Sequence, residues 1–243
     1  MEKNLSVKGV IFDYGGTLDT NGEHWSEVLW RAYRQVGVPV EKEAFRDAYV
    51  YAERALAKHP YIKPTHNFRD ILLIKVGIQL GYLKENEILN GDFPCEKCSE
   101  RIADTSYQSV LNILQISRNV VEKLHEKHKL ILVSNFYGNI ETVLTDFGLL
   151  CFFEKIIESA VVGVRKPDPA IYRLGVEAMG FAPDEIAVVG DSFSKDMVPA
   201  SKVGCHTVWL KGKGWVDEQV DESLPDVVIT DISQLLHVFG CNG

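Results

Sequence analysis

The sequence predicts an α/β fold, an open doubly wound parallel sheet with an all-helical segment inserted after its first strand. Three observations carry this. Short β-branched runs flanked by glycine or polar turns recur at Lys8 to Phe12, Leu130 to Val133, Ile186 to Val189, Thr207 to Leu210 and Val227 to Ile229. Continuous apolar runs of this kind suit strands covered on both faces, as in a parallel sheet. Helix-like segments separate the later runs, so the second half reads as repeated βα units. The stretch from about Gly22 to Gln115, by contrast, has helical periodicity and no convincing buried strand.

Taken in order, the first strand Lys8 to Phe12 meets Asp13 and two glycines. In the insert, Trp25, Val28, Leu29, Ala32, Tyr33 and Val36 recur at helical spacing, and Phe45, Ala48, Tyr49, Ala52 and Leu56 repeat the pattern. Phe68, Leu72, Val76 and Leu80 predict a third helix, and Tyr107, Val110, Leu111 and Leu114 a fourth. The α/β pattern then resumes, with helices expected at Asn139 to Phe147, Pro169 to Met179, Ser194 to Val203 and Ile232 to Phe239. The division expected is residues 1–21 with 116–243 as the α/β part and 22–115 as the helical insert. There is no internal repeat, low-complexity tract or long charge run.

The 243 residues amount to one large domain or two smaller ones at roughly 150 residues each. With 46% hydrophobic and 25% charged residues the composition is that of a globular chain with a sizeable core. Twenty-six basic against 34 acidic residues leave a net charge of -8, which argues against nucleic acid as partner, since that affinity comes largely from Lys and Arg. Five cysteines, Cys95, Cys98, Cys151, Cys205 and Cys241, are an odd number in a chain that needs no staples. Reduced thiols and a cytoplasmic location are therefore expected. No apolar stretch approaches the roughly 18 residues of a membrane helix, so no membrane partner is expected. Cys95 and Cys98 form a CxxC with no second ligand pair nearby, and are expected to be free thiols in a loop of the insert. Trp209 and Trp215 flank LKGKGWV, a loop expected near the insert or at a contact with another subunit.

Four clusters carry chemistry. VIFDYGGTLDT delivers Asp13 to the carboxyl end of a strand, where ligands bind in open α/β sheets. LILVSNFYGN ends another strand in Ser134 and Asn135, small polar groups able to hydrogen-bond an anion or simply to cap a helix. GVRKPDPAIY places Lys166 before two prolines whose fixed φ would hold it. AVVGDSFSKD puts Asp191 and Asp196 on one strand-to-helix loop, an arrangement suited to a hard cation such as Mg²⁺ or to acidic capping. All four fall at carboxyl ends of predicted parallel strands.

In this order the clusters resemble the motifs of the haloacid dehalogenase superfamily of hydrolases: Asp13 with Gly16 and Thr17, then Ser134, then Lys166, then Asp191 and Asp196. The resemblance covers nearly the whole chain, and the insert sits where that family carries a helical cap. It implies a Rossmann-like core with an inserted all-helical cap domain. It also implies Mg²⁺-dependent phosphoryl transfer from a small phosphorylated metabolite through an aspartyl-phosphate on Asp13. By the same resemblance the metal ligands are Asp13, the backbone carbonyl of Gly15 and Asp191, with Asp196 binding directly or through water and orienting Lys166. Thr17, Ser134, Asn135 and Lys166 are the expected substrate contacts, with His24 added for its place just after the first motif, and a monomer or homodimer is expected.

One departure stands out. The family's phosphatases carry a second Asp two residues after the nucleophile, which protonates the leaving group and then activates water; here that residue is Gly15. Three readings stay open. The substrate, or a cap group such as His24, His59 or His66, supplies the proton; the site runs phosphonatase-like chemistry, with Lys42, Lys58, Lys63 or Lys75 as candidate Schiff-base lysine; or the protein holds a phosphorylated ligand with little turnover. A dehalogenase is disfavoured, because it would not need the acidic pair.

Overall fold

The computed structural model describes residues 4–213 and 219–241; Trp215 lies outside them. Six strands form one sheet, β1 (Gly9–Phe12), β2 (Lys129–Ser134), β3 (Lys155–Glu158), β4 (Ile186–Gly190), β5 (His206–Leu210) and β6 (Val227–Ile229), in the order β3-β2-β1-β4-β5-β6. Every pairing is parallel. β1, β2 and β4 are almost wholly buried, which is why they read as unbroken apolar runs. The order reverses at β1, with β2 on one side and β4 on the other, and this opens a crevice above the carboxyl ends of those three strands. β3 escaped the sequence reading. It is an edge strand, KIIE, whose two apolar residues lie between charged ones and so leave no apolar run.

The insert contributes α1 (Trp25–Val36), α2 (Lys42–Lys58), α3 (Phe68–Glu85) and α4 (Cys95–His125). Their starts and stops are local. Gly37 ends α1 in the left-handed conformation at φ 85°, and Asn67 with Asp70 forms a capping box at the start of α3. Phe45, Tyr33, Leu72, Leu80 and Ile102 pack into one continuous cluster with Phe12 and Leu132 of the sheet. The 31-residue α4 runs unbroken through position 115 into the approach to β2. Its Ser117 hydroxyl donates to the carbonyl of Leu18 at 2.7 Å, which ties it to the loop after β1.

Cys95 and Cys98 lie in the first turn of α4, not in a loop as the sequence suggested, because Pro94 caps the helix just ahead of them. The remaining helices are α5 (Ile140–Asp146), α6 (Ser159–Val162), α7 (Ala170–Met179), α8 (Val198–Val203) and α9 (Leu235–Val238). The helix expected from Ser194 is split: a π-helical turn at Phe193–Met197 precedes α8. No helix among the described residues is long and apolar enough to cross a membrane.

Candidate active site

Asp13 follows β1 directly, and its amide donates to the carbonyl of Val189 in β4. Ser134 ends β2, and Asp191 follows the last residue of β4. The three strand ends thus bring together side chains separated by up to 178 positions. Lys166 arrives on the loop before α7, and its Nζ lies 2.6 Å from Asp13 Oδ1 and 2.7 Å from Asp196 Oδ1. All three are buried. Burial opposes the charge of Lys166, yet Asp13 and Asp196 hold its pKa above the ordinary lysine value. Burial pushes the Asp13 carboxyl up, with Lys166 pulling the other way. Asp191 is raised well above the usual carboxylate range by burial and by the negative charges of Asp13 and Asp196.

Asp13, Asp191 and Asp196 each offer a carboxylate oxygen within 4.8 Å of the others'. Three carboxylates against one lysine leave an excess of negative charge in a buried place, which a hard cation would neutralise with the oxygen ligands it prefers. The donor set therefore fits Mg²⁺. The chain leaves room for this approach at Gly16, whose φ of 95° favours glycine and where a Cβ would collide with the Asp191 carboxylate. Gly190 does the same for Asp196: a Cβ would stand 2.5 Å from its carboxyl carbon.

Three of the expected site residues hold neighbouring groups in place. The Thr17 hydroxyl is fully buried and donates to Asp191 Oδ1 at 3.2 Å, so it faces a carboxylate and not the cavity. Asn135 clasps the backbone of Lys166, donating to its carbonyl at 3.1 Å and accepting from its amide at 2.9 Å. Asp196 accepts from Lys166 and the Tyr172 hydroxyl on one oxygen and from the Ser192 amide on the other. Ser134, Asn135 and Lys166 line the cavity.

That cavity, about 1000 Å³, lies between the carboxyl end of the sheet and α2 and α3. His24 lines it, but its Nδ1 caps α1 by accepting the Ser26 amide, and burial lowers its pKa to about 4. It is a neutral imidazole at pH 7. His59 lines the mouth and is exposed, whereas His66 folds onto its own loop by accepting from the Lys63 amide. Lys42 pairs with Glu27 at 2.7 Å, and Lys58 and Lys63 are exposed. Lys75 differs: it is buried, faces the cavity and pairs with Glu53 at 2.7 Å.

Three residues escaped the sequence reading. Tyr172 holds Asp196 from the first turn of α7, and only its place in KPDPAIY hinted at it. Asp19 accepts from the Gly16 amide at 2.7 Å and from Trp25 Nε1 at 2.9 Å, and burial raises its pKa to about 7. It sits inside GGTLDT, where a second carboxylate was visible but had no partner in sequence. Glu53 had no signal beyond its charge.

The profile of haloacid dehalogenase-like hydrolases matches residues 7–204. The chain belongs to this family. It is 36% identical over 109 residues to the mouse haloacid dehalogenase-like hydrolase domain-containing protein 3, covering 44% of this chain and 43% of that one. It is 36% identical over 88 residues to the glyceraldehyde 3-phosphate phosphatase of Pyrococcus furiosus, covering 36% and 37%. The matched segments thus span well under half of these relatives. The Bacillus subtilis HAD-hydrolase YfnB, solved with bound magnesium, shares the fold at a TM-score of 0.61 and 18% identity, over 97% of this chain and 99% of that one. The haloacid dehalogenase-like core is therefore the sheet described above, with its helical insertion after the first strand.

Proposed function

We propose that this chain is a Mg²⁺-dependent phosphoric monoester hydrolase of small metabolites, acting through Asp13. The observation that carries the reading is the buried ammonium of Lys166 held between Asp13 and Asp196 at the carboxyl end of the sheet, beside Asp191. A carboxylate cannot approach a phosphate dianion unless cationic groups offset the repulsion, and this arrangement supplies one beside a cation site. The name of the Pyrococcus furiosus relative agrees in chemical class.

In this reading an oxygen of Asp13 attacks phosphorus, the bond from phosphorus to the leaving oxygen breaks, and the leaving oxygen takes up a proton. Water then attacks phosphorus, phosphate departs and the Asp13 carboxylate is restored. Asp13, the Gly15 carbonyl and Asp191 would hold Mg²⁺, which would neutralise the phosphoryl oxygens in both steps. Asp196, occupied by Lys166, Tyr172 and the Ser192 amide, serves to aim Lys166. Ser134, at the end of β2, would donate to a phosphoryl oxygen.

Residues 22–115 act as a cap over the core formed by 1–21 and 116–243, with the leaving group enclosed between them. Lys75 argues against a Schiff base: burial disfavours its charge, yet Glu53 and neighbouring tyrosines hold its pKa well above the ordinary value, so its amine is not a nucleophile. Release of phosphate from an aryl phosphate tests the proposal. It is expected to need both Mg²⁺ and Asp13; release that survives chelation and Asp13→Asn would reject it.

A further inference from the structure

Opposite the catalytic carboxylates, the cap wall of the cavity carries four interlocked polar groups: Tyr49, Glu53, Lys75 and, from the core, Tyr137. Lys75 Nζ lies 2.7 Å from Glu53 Oε1, and the Tyr137 hydroxyl donates to Glu53 Oε2 at 3.3 Å. Tyr49 also hydrogen-bonds Glu53. The ammonium sits over both rings, 6.0 Å from the centroid of Tyr49 and 5.6 Å from that of Tyr137. Glu53 stays ionised despite its burial because Lys75 is beside it. These four groups therefore hold one positive and one negative charge between them, and their net charge is zero.

We infer that this wall recognises an uncharged, hydroxyl-bearing leaving group, so that the substrate class is the phosphate monoesters of polyols. This rests on the phosphatase reading above and adds the identity of the alcohol. The argument is an inventory of donors and acceptors. Lys75 has three donors and bonds both Glu53 and Tyr137, which leaves one for a ligand; both tyrosines donate to Glu53, so the wall offers a ligand an ammonium hydrogen together with lone pairs of carboxylate and phenol oxygens. A hydroxyl both donates and accepts, so it satisfies Lys75 and a tyrosine or Glu53 together. A carboxylate only accepts and meets the charge of Glu53; an ammonium only donates and meets the charge of Lys75. In a partly dry cavity such mismatched charges discriminate strongly.

The test compares glycerol 3-phosphate, 3-phosphoglycerate and phosphoserine, which share a three-carbon frame and differ in the groups that would face this wall. Each is titrated as a competitive inhibitor of aryl phosphate hydrolysis with Mg²⁺ present, so slow turnover of the three does not matter. Glycerol 3-phosphate is expected to bind at least about tenfold more tightly than 3-phosphoglycerate, a difference of about 1.4 kcal/mol. Glu53→Gln, which leaves Lys75 without its counter-charge, is expected to shift that ratio at least about tenfold toward 3-phosphoglycerate. Tyr137→Phe, which disturbs no charge, is expected to weaken glycerol 3-phosphate more than 3-phosphoglycerate.

Tighter binding of 3-phosphoglycerate or phosphoserine to the unaltered protein overturns the inference, as does a ratio that neither variant moves. If the aryl phosphate is not hydrolysed in an Asp13-dependent way, it is the phosphatase reading that fails. The ligands are then ranked by their shift of melting temperature with Mg²⁺, and a preference for 3-phosphoglycerate there rejects the polyol class on its own.

Discussion

The ammonium of Lys166 stands 2.6 Å from the carboxylate of Asp13, and the two come from segments 153 residues apart. Asn135 holds the lysine's backbone, and Asp196, steadied by Tyr172, holds its head. The pair is thus oriented from three sides of the crevice. Such constraint suits a nucleophile that must meet an anion in one geometry.

Replacing Lys166 with Ala removes a charge that offsets two buried carboxylates. We expect a loss in kcat/KM of about 10²- to 10³-fold on an aryl phosphate, larger than for Ser134→Ala, which removes a neutral donor. Steady-state kinetics of the two variants side by side decides this, and a costlier Ser134→Ala would contradict it.

Gly15 is where the family's phosphatases carry their acid and base. A Cβ there meets nothing within 4 Å, so a side chain fits without repacking. Gly15→Asp should therefore raise kcat on an alkyl phosphate by about 10²-fold or more if proton transfer limits the natural protein. On an aryl phosphate, whose leaving group needs no proton, the gain should be much smaller. Equal gains on both would place the limitation elsewhere.

Mg²⁺ should stabilise the fold by relieving the repulsion among Asp13, Asp191 and Asp196. At one hundred times its Kd the gain is about 2.7 kcal/mol. A thermal melt with and without chelator reads it directly. Asp191→Asn should abolish the shift while keeping the fold, because Asn can still accept from Thr17.

Asp19 gives a pH dependence with a definite sign. Its carboxyl, ordinarily near 3.8, rises to about 7 in the folded chain through burial. Between those values the folded protein binds a proton that the unfolded chain has lost, so the group's contribution falls as pH rises from 3.8 to about 7 and is flat above. Asp19→Asn should flatten this part of the stability profile, by at most about 4 kcal/mol across the window at 1.36 kcal/mol per unit. Denaturant unfolding at pH values on either side of the window measures it; an unchanged slope in the variant would mean that Asp19 is ionised throughout.

The sheet and the residues at the carboxyl ends of its strands were legible in the sequence for one physical reason. A parallel sheet buries its central strands on both faces, so β1, β2 and β4 appear as apolar runs, and the residue that ends each run is delivered to the crevice. Asp13, Ser134 and Asp191 could be placed in this way. Thr17 and Asn135 could be placed but not oriented: a short polar side chain beside a site serves the ligand or its neighbours, and here Thr17 serves Asp191 while Asn135 clasps Lys166 and also lines the cavity. The Glu53–Lys75 pair was invisible, since the partners lie on different helices whose packing no local pattern encodes. β3 was lost because an edge strand need not be apolar.

The central claim is that Asp13 is phosphorylated in turnover, and rapid mixing of the protein with Mg²⁺ and an activated aryl phosphate tests it most directly. With no acid-base group at Gly15 to activate water, we expect a burst of the leaving alcohol equal to the enzyme concentration, followed by slower phosphate release, and neither phase in Asp13→Asn. Phosphate release by Asp13→Asn at the rate of the unaltered protein would contradict the account.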